Sequence, residues 1–312
     1  MKTLIDVKGL KKSYKDKEVI HGIDFSVDEG EILCFLGPNG AGKSTTINII
    51  TGALRCDGGS IQYKGESIYK DLLGFKARLG IVPQDLALYE DLSAEKNVFF
   101  FASLYGLKGD ALGNACRFAL EFTGLSDRAK DKVSTFSGGM KRRLNIACAI
   151  AHKPELLIMD EPTVGIDPQS RNHILEGVKR LRDQGMTILY TTHYMEEVEE
   201  ISTRIIIMDV GNIIAEGTNE SLKSDIESER HYRITVDYDG EPKTSGLPHI
   251  DGVKDVQFKD GAIDVTTDRQ VENLDKIIAA LIAGGVKIND LNAETASLET
   301  VFLQMTGKSL RD

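Results

Sequence analysis

Short apolar segments separated by polar turns fill the first part of the chain, and they predict β-strands. The predicted strands are residues 4–7, 18–20, 23–27, 32–36, 59–63 and 79–82. A glycine-rich loop and a helix over 42–51 follow the fourth of these strands. From about residue 92 to 151 the apolar positions recur at helical spacing with glycine breaks, which predicts a mainly helical subdomain.

Strands and helices alternate after residue 151. The predicted strands cover 156–159, 187–191 and 205–208. One predicted helix begins after Pro168, and a second covers 195–200. Apolar strands that each lead into a helix indicate a mostly parallel sheet covered on both faces, which is an α/β fold.

The composition changes at the charged stretch 225–229. Beyond it the pattern predicts strands over 232–236, 253–258, 263–265 and 286–291, with helices over 271–283 and 298–305. We therefore predict a domain over 1–224 and a small α+β domain over 230–312. The alternative is that the second segment is only an extension of the first.

Charge and cysteine content narrow the class of protein. The 312 residues carry a net charge of -10, which argues against broad binding to nucleic acid or to an anionic membrane. The 4 cysteines lie far apart, as expected of buried residues in a reducing compartment. The most apolar run, 98–105, is far shorter than the roughly 20 residues that a membrane-spanning helix requires. We expect a soluble, cytosolic chain.

A phosphate-binding loop is the clearest chemical motif. Residues 37–45 read GPNGAGKST between a predicted strand and a predicted helix, the context that a P-loop requires. Its backbone N–H groups would surround phosphate oxygens, with Lys43 on the β- and γ-phosphates and Ser44 on Mg²⁺. The candidate nucleotide-binding residues here are Gly37, Pro38, Asn39, Gly40, Ala41, Gly42, Lys43, Ser44 and Thr45. The alternative is a chance glycine-rich turn.

Two carboxylates end the apolar strand LLIMDE. Because ligands bind at the carboxyl ends of parallel strands, Asp160 is a candidate to hold Mg²⁺ through water. Glu161 is a candidate to orient or deprotonate the attacking water. The alternative is that these acids cap a helix.

Three single residues have weaker assignments. His193 follows a predicted strand and could approach the γ-phosphate, although a lone histidine is more often structural. Gln84 could reach Mg²⁺ or the water, and its alternative is a solvated loop residue. Tyr14 could stack on a base, or it could simply pack.

The stretch TFSGGMKRRLNIA presents a second candidate phosphate site. Ser137, Gly138 and Gly139 begin a helix, and a helix amino terminus attracts anions. The P-loop already holds the chain's own nucleotide. If two copies pair head to tail, each Ser137 region would cover the γ-phosphate of the other copy. ATP would then close the dimer, and hydrolysis would reopen it.

The motifs in this order resemble the ATP-binding subunit of ABC transporters over about residues 3–220. They are GPNGAGKST, VPQ, FSGGM, LLIMDEP, VGID and TTH. The resemblance implies a P-loop ABC ATPase core with an antiparallel β subdomain and a helical subdomain, ATP and Mg²⁺ as cofactors, and a dimer. It also implies that Tyr14 stacks on adenine, Gln84 contacts Mg²⁺, His193 senses the γ-phosphate and Asp167 crosses the dimer interface. Residues 99–104 would lie where a membrane partner docks.

The signature FSGGM departs from the commoner LSGGQ, because Met140 cannot donate the hydrogen bond of a glutamine. SGGMKRRL and the tail SLETVFLQMTGKSLRD resemble the daunorubicin/doxorubicin-type exporter branch. That branch implies a separate membrane-spanning permease subunit, pairing with a second copy or a related ATPase chain, and a place on the cytoplasmic face of the membrane. We expect export of a drug, lipid or other small molecule, with no nucleic-acid partner. The alternatives are a soluble ATPase that remodels nucleic acid or a protein complex, and an importer subunit.

Overall fold

The structure is a computed structural model that describes residues 2–15, 17–226, 229–237, 246–259, 261–294 and 297–306. The chain divides into two compact units, Met1–Asn219 and Glu220–Ser309. We propose that these units are separate domains, with a boundary a few residues before the predicted one. Residues 227–228 of the charged stretch and 307–312 of the predicted second domain lie outside the described residues.

The first unit mixes strands and helices in the alternating order that the pattern predicts. Its strands are β1 (Thr3–Tyr14), β2 (Lys17–Asp28), β3 (Ile32–Leu36), β4 (Gly58–Tyr63), β5 (Glu66–Ser67), β6 (Leu79–Val82), β7 (Leu156–Asp160), β8 (Thr187–Thr192), β9 (Arg204–Asp209) and β10 (Asn212–Gly217). Its helices are α1 (Lys43–Ile50), α2 (Leu72–Lys76), α3 (Ala94–Leu104), α4 (Gly109–Phe122), α5 (Gly138–Ile150), α6 (Pro168–Asp183) and α7 (Met195–Ile201), with 3₁₀ turns at Ser126–Arg128 and Val133–Thr135.

The central sheet has the strand order β10-β9-β3-β8-β7-β6, and every pair except β9–β10 is parallel. All residues of β3 and β8 are buried, as expected of strands covered on both faces. The predicted α/β class is confirmed. Because β3, β7 and β8 are parallel neighbours, the loops that follow them meet at one edge of the sheet.

A second, antiparallel sheet has the order β2-β1-β4-β5. The strands predicted over 18–20 and 23–27 are one continuous strand, and the strand predicted over 4–7 extends to Tyr14. The pairing of β1 with β2 contains several register shifts, one of them between Val7 and Leu10. Each shift interrupts the period-2 alternation, so the sequence pattern made two long bulged strands look like short ones.

One apolar core joins the two sheets. It includes the edge-to-face pair Phe25–Phe35, whose ring centroids lie 5.1 Å apart, and Ile5 and Ile206, both fully buried. Burial of this apolar surface is the main term that stabilises the unit and fixes the P-loop strand β3 against its neighbours.

The β9–β10 hairpin was not predicted. Its turn is Val210–Gly211, with φ of 42° and 74°. Valine is not a turn-forming residue and is strained at positive φ, so Val210–Gly211 does not match the Asn-Gly or Asp-Gly pair that usually signals such a turn.

The second unit is a four-stranded antiparallel sheet of order β12-β13-β11-β14 with a helix packed on one face. Helix α8 (Asn219–Ile226) begins at the last residue of the first unit. The other elements of the second unit are β11 (Glu229–Asp237), a 3₁₀ turn at Leu247–His249, β12 (Val253–Lys259), β13 (Ala262–Asp268), α9 (Leu274–Ala283), β14 (Lys287–Glu294) and α10 (Leu298–Thr306). Helix α9 begins three residues later than predicted. The reason is that its N-cap, Asn273, is fully buried and donates to the carbonyl oxygen of Asp251 at 2.8 Å.

Candidate functional site

The predicted phosphate loop, residues 37–44, connects β3 to α1. Gly42 is the N-cap of α1 and has φ of 105°, a conformation that strains any residue with a side chain. Glycine is needed at position 37 for a different reason, which is lack of space. A Cβ there would lie 2.3 Å from the carbonyl oxygen of Met208 on β9. The loop is thus held close against the sheet, and α1 begins with the unpaired N–H groups that bind phosphate.

Lys43 is buried at the first turn of α1. Its Nζ donates to the carbonyl oxygens of Gly37 at 2.6 Å and Pro38 at 3.1 Å. Burial lowers the pKa of the Lys43 ammonium, and the charge of Glu161 opposes that shift. The lysine therefore lies inside the loop, where a nucleotide phosphate would replace carbonyl oxygens as its partner.

Two of the candidate magnesium ligands lie side by side. Ser44 Oγ donates to Asp160 Oδ1 at 3.3 Å, and Thr191 Oγ1 donates to the same carboxylate oxygen at 2.6 Å. No cluster of three or more histidine, cysteine or acidic side chains suited to a metal occurs in the described part of the chain. A hydroxyl and one carboxylate nevertheless fit Mg²⁺, which prefers oxygen and keeps several waters and substrate phosphates as ligands.

Glu161 occupies a strained turn after β7. Its φ is 45°, in the left-handed region that non-glycine residues rarely adopt. The Glu161 N–H donates to the carbonyl oxygen of Thr191 at 3.1 Å and to Thr191 Oγ1 at 3.0 Å. These bonds fix the turn to β8, and strain of this kind is often maintained at functional sites.

The Glu161 carboxylate lies between two nitrogen groups at the carboxyl edge of the sheet. Oε1 is 3.3 Å from Lys43 Nζ, and Oε2 is 3.3 Å from His193 Nδ1. The Glu161 side chain is 6% exposed and the His193 side chain 24% exposed, so the carboxylate is buried and the histidine is partly open to solvent. Helix capping, the alternative for the two acids, is not observed, since Asp167 is the N-cap of α6.

The signature residues form an exposed helix start. Ser137 is the N-cap of α5, and its Oγ accepts from the Met140 N–H at 3.3 Å. Ser137 and Gly138 are exposed, whereas Gly139 is buried. The helix start predicted for this stretch is therefore present, with Ser137 already positioned to cap it.

The two signature glycines differ in what surrounds them. A Cβ on Gly139 would lie 2.0 Å from Ser170 Oγ and 3.4 Å from Asp167 Oδ2, so packing against α6 already requires glycine there. A Cβ on Gly138 would meet no atom of the residues that the structure describes within 4 Å. Asp167 itself accepts from the Ser170 N–H at 2.9 Å, which lowers the pKa of its carboxyl. The signature pattern predicts anion binding for both glycines, and it carries no sign of the packing requirement at Gly139.

Tyr14 and Gln84 are exposed side chains near the ends of their strands. Tyr14 is 48% exposed at the end of β1, with Lys12 Nζ 5.8 Å from its ring centroid. The Gln84 carbonyl oxygen accepts from Arg142 at 2.9 Å. No contact joins the Gln84 side chain to Ser44 or Asp160 among the described residues.

Arg142 is a buried residue that sequence reasoning missed. It lies on α5, directly after the signature, and also donates to the carbonyl oxygen of Pro83 at 3.0 Å. The guanidinium thus connects the signature helix to the Gln84 segment. The basic run Lys141–Arg142–Arg143 gave no indication of which cation points inward, because that depends on the strand packed against the helix.

Comparisons with known proteins agree with this geometry. The family model described as ABC transporter matches residues 20–164. The chain is 45% identical to the linearmycin resistance ATP-binding protein of Bacillus subtilis, over 99% of this chain and 100% of that protein. It is 33% identical to a daunorubicin resistance ATP-binding protein of Streptomyces coeruleorubidus, over 99% of this chain and 98% of that protein. A Nod factor export ATP-binding protein of Burkholderia lata is 35% identical over the same shares.

Solved structures show the same relation. An ATP-binding subunit of an ABC transporter superposes with a TM-score of 0.65 at 31% identity, covering 71% of this chain and 92% of that one. The cbiO1 protein of Clostridium perfringens gives a TM-score of 0.67 at 28% identity, covering 72% and 92%. No helix within the described residues is long and apolar enough to cross a membrane. The chain belongs to the ABC transporter family, as an ATP-binding subunit that hydrolyses ATP, in the branch that holds drug-resistance and export subunits.

Proposed function

We propose that this subunit powers export through a separate membrane-spanning permease by closing and reopening an ATP-bound dimer. The observation that carries the proposal is the meeting of Lys43, Glu161 and His193 at one edge of the sheet, with Ser44 and Asp160 beside them. A second anion-binding helix start, at Ser137, is exposed in the same chain. The second copy, or a related ATPase chain, would place its own Ser137 region on the nucleotide.

Each site residue has a distinct role in the proposal. The backbone N–H groups of residues 37–45 and the Lys43 ammonium bind the phosphates. Glu161 orients the attacking water and accepts its proton, and His193 contacts the γ-phosphate. Ser44 and Asp160 would hold Mg²⁺, with Gln84 as a third ligand after the exposed loop closes. The metal would neutralise phosphate charge.

The environment of Gly138 supports binding from a second molecule. The described residues of its own chain leave open space at the Cβ position, so none of them explains why a side chain is missing. Close approach of a phosphate to the backbone would explain it. In the same pairing, Asp167 at the start of α6 would lie at the dimer interface and Tyr14 on the adenine.

The permease contact is proposed on an aromatic surface of the helical subdomain. Tyr89 is 50% exposed, Phe100 39% and Leu104 66%. The ring centroids of Tyr89 and Phe100 lie 5.0 Å apart, so these two rings form one continuous surface. Exposed apolar patches of this kind mark interaction sites, and a permease here would hold the subunit on the cytoplasmic face of the membrane.

The transported molecule is proposed from the relatives alone. Linearmycin resistance, daunorubicin resistance and Nod factor export appear in their names. We propose export of a drug, lipid or other small molecule, whose contacts would lie in the permease.

A pull-down tests the proposal. Tagged Glu161→Gln, held in Mg-ATP, is purified from a detergent extract of the native cell, and its partners are identified by mass spectrometry. We expect a polytopic membrane protein together with a second ATPase chain. Recovery of soluble partners only, from an extract shown to contain intact membrane complexes, would contradict the export proposal and leave the ATP site standing. Lys43→Ala serves as the matched control, because it should not form the ATP-bound complex.

A further inference from the structure

A fully buried carboxylate contacts residues that are close in sequence to Glu161 and His193, the residues proposed to act on ATP. The side chain of Glu197, on α7, has an exposed fraction of 0%. Its Oε1 accepts from Thr163 Oγ1 at 2.6 Å and lies 3.0 Å from Arg171 Nε. Its Oε2 accepts from the Tyr190 hydroxyl and from Thr192 Oγ1, both at 2.9 Å. We call these five residues the Glu197 cluster. A buried charge is costly unless it is paired and hydrogen-bonded, and here three hydroxyl donors and an ion pair with Arg171 offset that cost.

The donors flank the residues proposed to act on ATP. Thr163 lies two positions after Glu161, and Thr192 directly precedes His193. The N–H of Tyr194 donates to Thr192 Oγ1 at 3.0 Å, so the backbone on both sides of His193 is fixed through one threonine. The cluster therefore connects the two turns that carry the Glu161 carboxylate and the His193 imidazole.

Arg171 and Tyr190 complete the connection. Arg171 belongs to α6, the helix that Asp167 caps, and its guanidinium lies 5.5 Å from the ring centroid of Tyr194. Burial, reinforced by the charge of Glu197, raises the pKa of Tyr190 well above its usual range. The phenol stays protonated and remains a donor to the carboxylate.

We propose that Glu197 is a positioning residue for ATP hydrolysis, which holds in place the two turns that carry Glu161 and His193, whose side chains lie 3.3 Å apart. The proposal rests on the roles proposed above for those two residues. The Glu197 carboxylate accepts from three hydroxyls and lies in an ion pair with Arg171. A glutamine in its place has one acceptor oxygen and an NH₂ group that cannot accept, so some donors would lose their partner and turn away. The P-loop is not part of the cluster, so ATP binding is expected to persist.

Glu197→Gln is compared with Glu31→Gln in the full chain. Glu31 is a matched control because it is also buried, at 5% exposed, and accepts from Arg204 at 2.6 Å. It precedes β3 at the opposite edge of the sheet from the P-loop. The measurements are kcat and KM for ATP by phosphate release, affinity for a fluorescent ATP analogue, and Tm.

Both variants are expected to lower Tm. Glu197→Gln should reduce kcat by about tenfold to a hundredfold, the effect of a small misplacement of reacting groups, while KM and analogue affinity stay within about twofold. Glu31→Gln should leave kcat unchanged. Tyr190→Phe, which removes one donor and keeps the ring, should give a smaller loss of kcat in the same direction.

A kcat for Glu197→Gln equal to that of Glu31→Gln would overturn the proposal and leave Glu197 a structural residue. If Glu197→Gln does not fold, Tyr190→Phe and Thr163→Val decide the question, since unchanged kcat in both would also overturn it. Glu161→Gln and His193→Ala are measured in parallel. Normal turnover in those two would refute the site assignment itself, whereas their loss alongside a normal Glu197→Gln would refute only the positioning role.

Discussion

Glu161 combines three unusual properties at a single residue: positive φ, a buried carboxylate, and contact with both a lysine and a histidine. Together these properties support the role proposed for Glu161 next to the nucleotide phosphates.

Glu161→Gln should bind ATP normally and hydrolyse it about a hundredfold or more slowly, because the amide keeps the shape of the side chain but cannot accept the proton of water. Phosphate release and ATP-analogue titration measure the two quantities. Glu155→Gln, at the other end of β7, is the control and should keep normal turnover. Near-normal turnover of Glu161→Gln would remove Glu161 from the role proposed for it.

At the scale of elements, the site depends on where helices and hairpins begin. The N-caps of α1, α5 and α6 are Gly42, Ser137 and Asp167, and each helix start supplies backbone donors or a capping side chain. The β9–β10 hairpin supports the P-loop from behind, since the Gly211 N–H donates to the carbonyl oxygen of Ala41 at 3.0 Å.

The two signature glycines should respond differently to alanine. Gly139→Ala should destabilise the fold by about 1–3 kcal/mol, because its Cβ would overlap Ser170 on α6. Gly138→Ala should change stability little and weaken only the ATP-dependent dimer. Thermal unfolding of the monomer and light scattering in Mg-ATP separate the two effects. Equal loss of stability in both variants would contradict the distinction.

The hairpin turn offers a stabilising substitution. Val210 is 61% exposed and has φ of 42°, so it contributes little burial and strains the backbone. Val210→Asn should raise the free energy of unfolding by about 1 kcal/mol, since asparagine tolerates this conformation in a type I′ turn. Calorimetry should show a higher Tm with an unchanged ATPase rate. Lower stability would contradict the backbone strain assigned to Val210.

Within the first unit, Glu155 and the three side chains that donate to it connect the antiparallel sheet to the central sheet. Burial raises the pKa of the Glu155 carboxyl, but hydrogen bonds from Lys64, Tyr63 and Arg78 outweigh it and lower the pKa to about 2. A carboxyl whose pKa is depressed in the folded state stabilises the fold above its unfolded pKa, and this contribution is lost as pH falls through the folded value. The relevant window is from about pH 5 to about pH 2.

Glu155→Gln should lower the stability by about 1 kcal/mol at pH 7, after allowance for solvent screening, and by much less at pH 3. Denaturant unfolding at both pH values measures the difference from the native chain. Glu66→Gln, which breaks an exposed ion pair with Lys70, is the control and should have little effect at either pH. A deficit of Glu155→Gln that is the same at pH 3 and pH 7 would contradict the linkage.

The assembly of two copies is tested at the exposed signature. Ser137→Arg, placed in a Glu161→Gln chain, should keep ATP-analogue affinity within about twofold, because the P-loop binds the nucleotide first. The same chain should remain monomeric in Mg-ATP by light scattering, since the arginine fills the space meant for the partner's phosphate. Dimerisation equal to that of Glu161→Gln alone would argue against the head-to-tail arrangement.

The sequence by itself determined the α/β class, the P-loop and the carboxylate pair after β7. These features can be predicted from sequence because they depend on residues that are neighbours in the chain. The P-loop is a glycine-rich loop before a helix, and the carboxylate pair is two acids at the end of an apolar strand. The order of the motifs also predicted the family, which the comparisons confirm. The individual site roles, including those of Tyr14 and Gln84, stay predictions.

Only the tertiary structure decided the rest. The long bulged strands, the need for glycine at position 139, the inward-pointing Arg142 and the buried Glu197 each depend on a segment distant in sequence. Local patterns carry no information about which distant group lies opposite a residue. An acidic helix looks solvated in sequence, yet three hydroxyls and a guanidinium from other elements bury one of its carboxylates, because only folding brings those donors together.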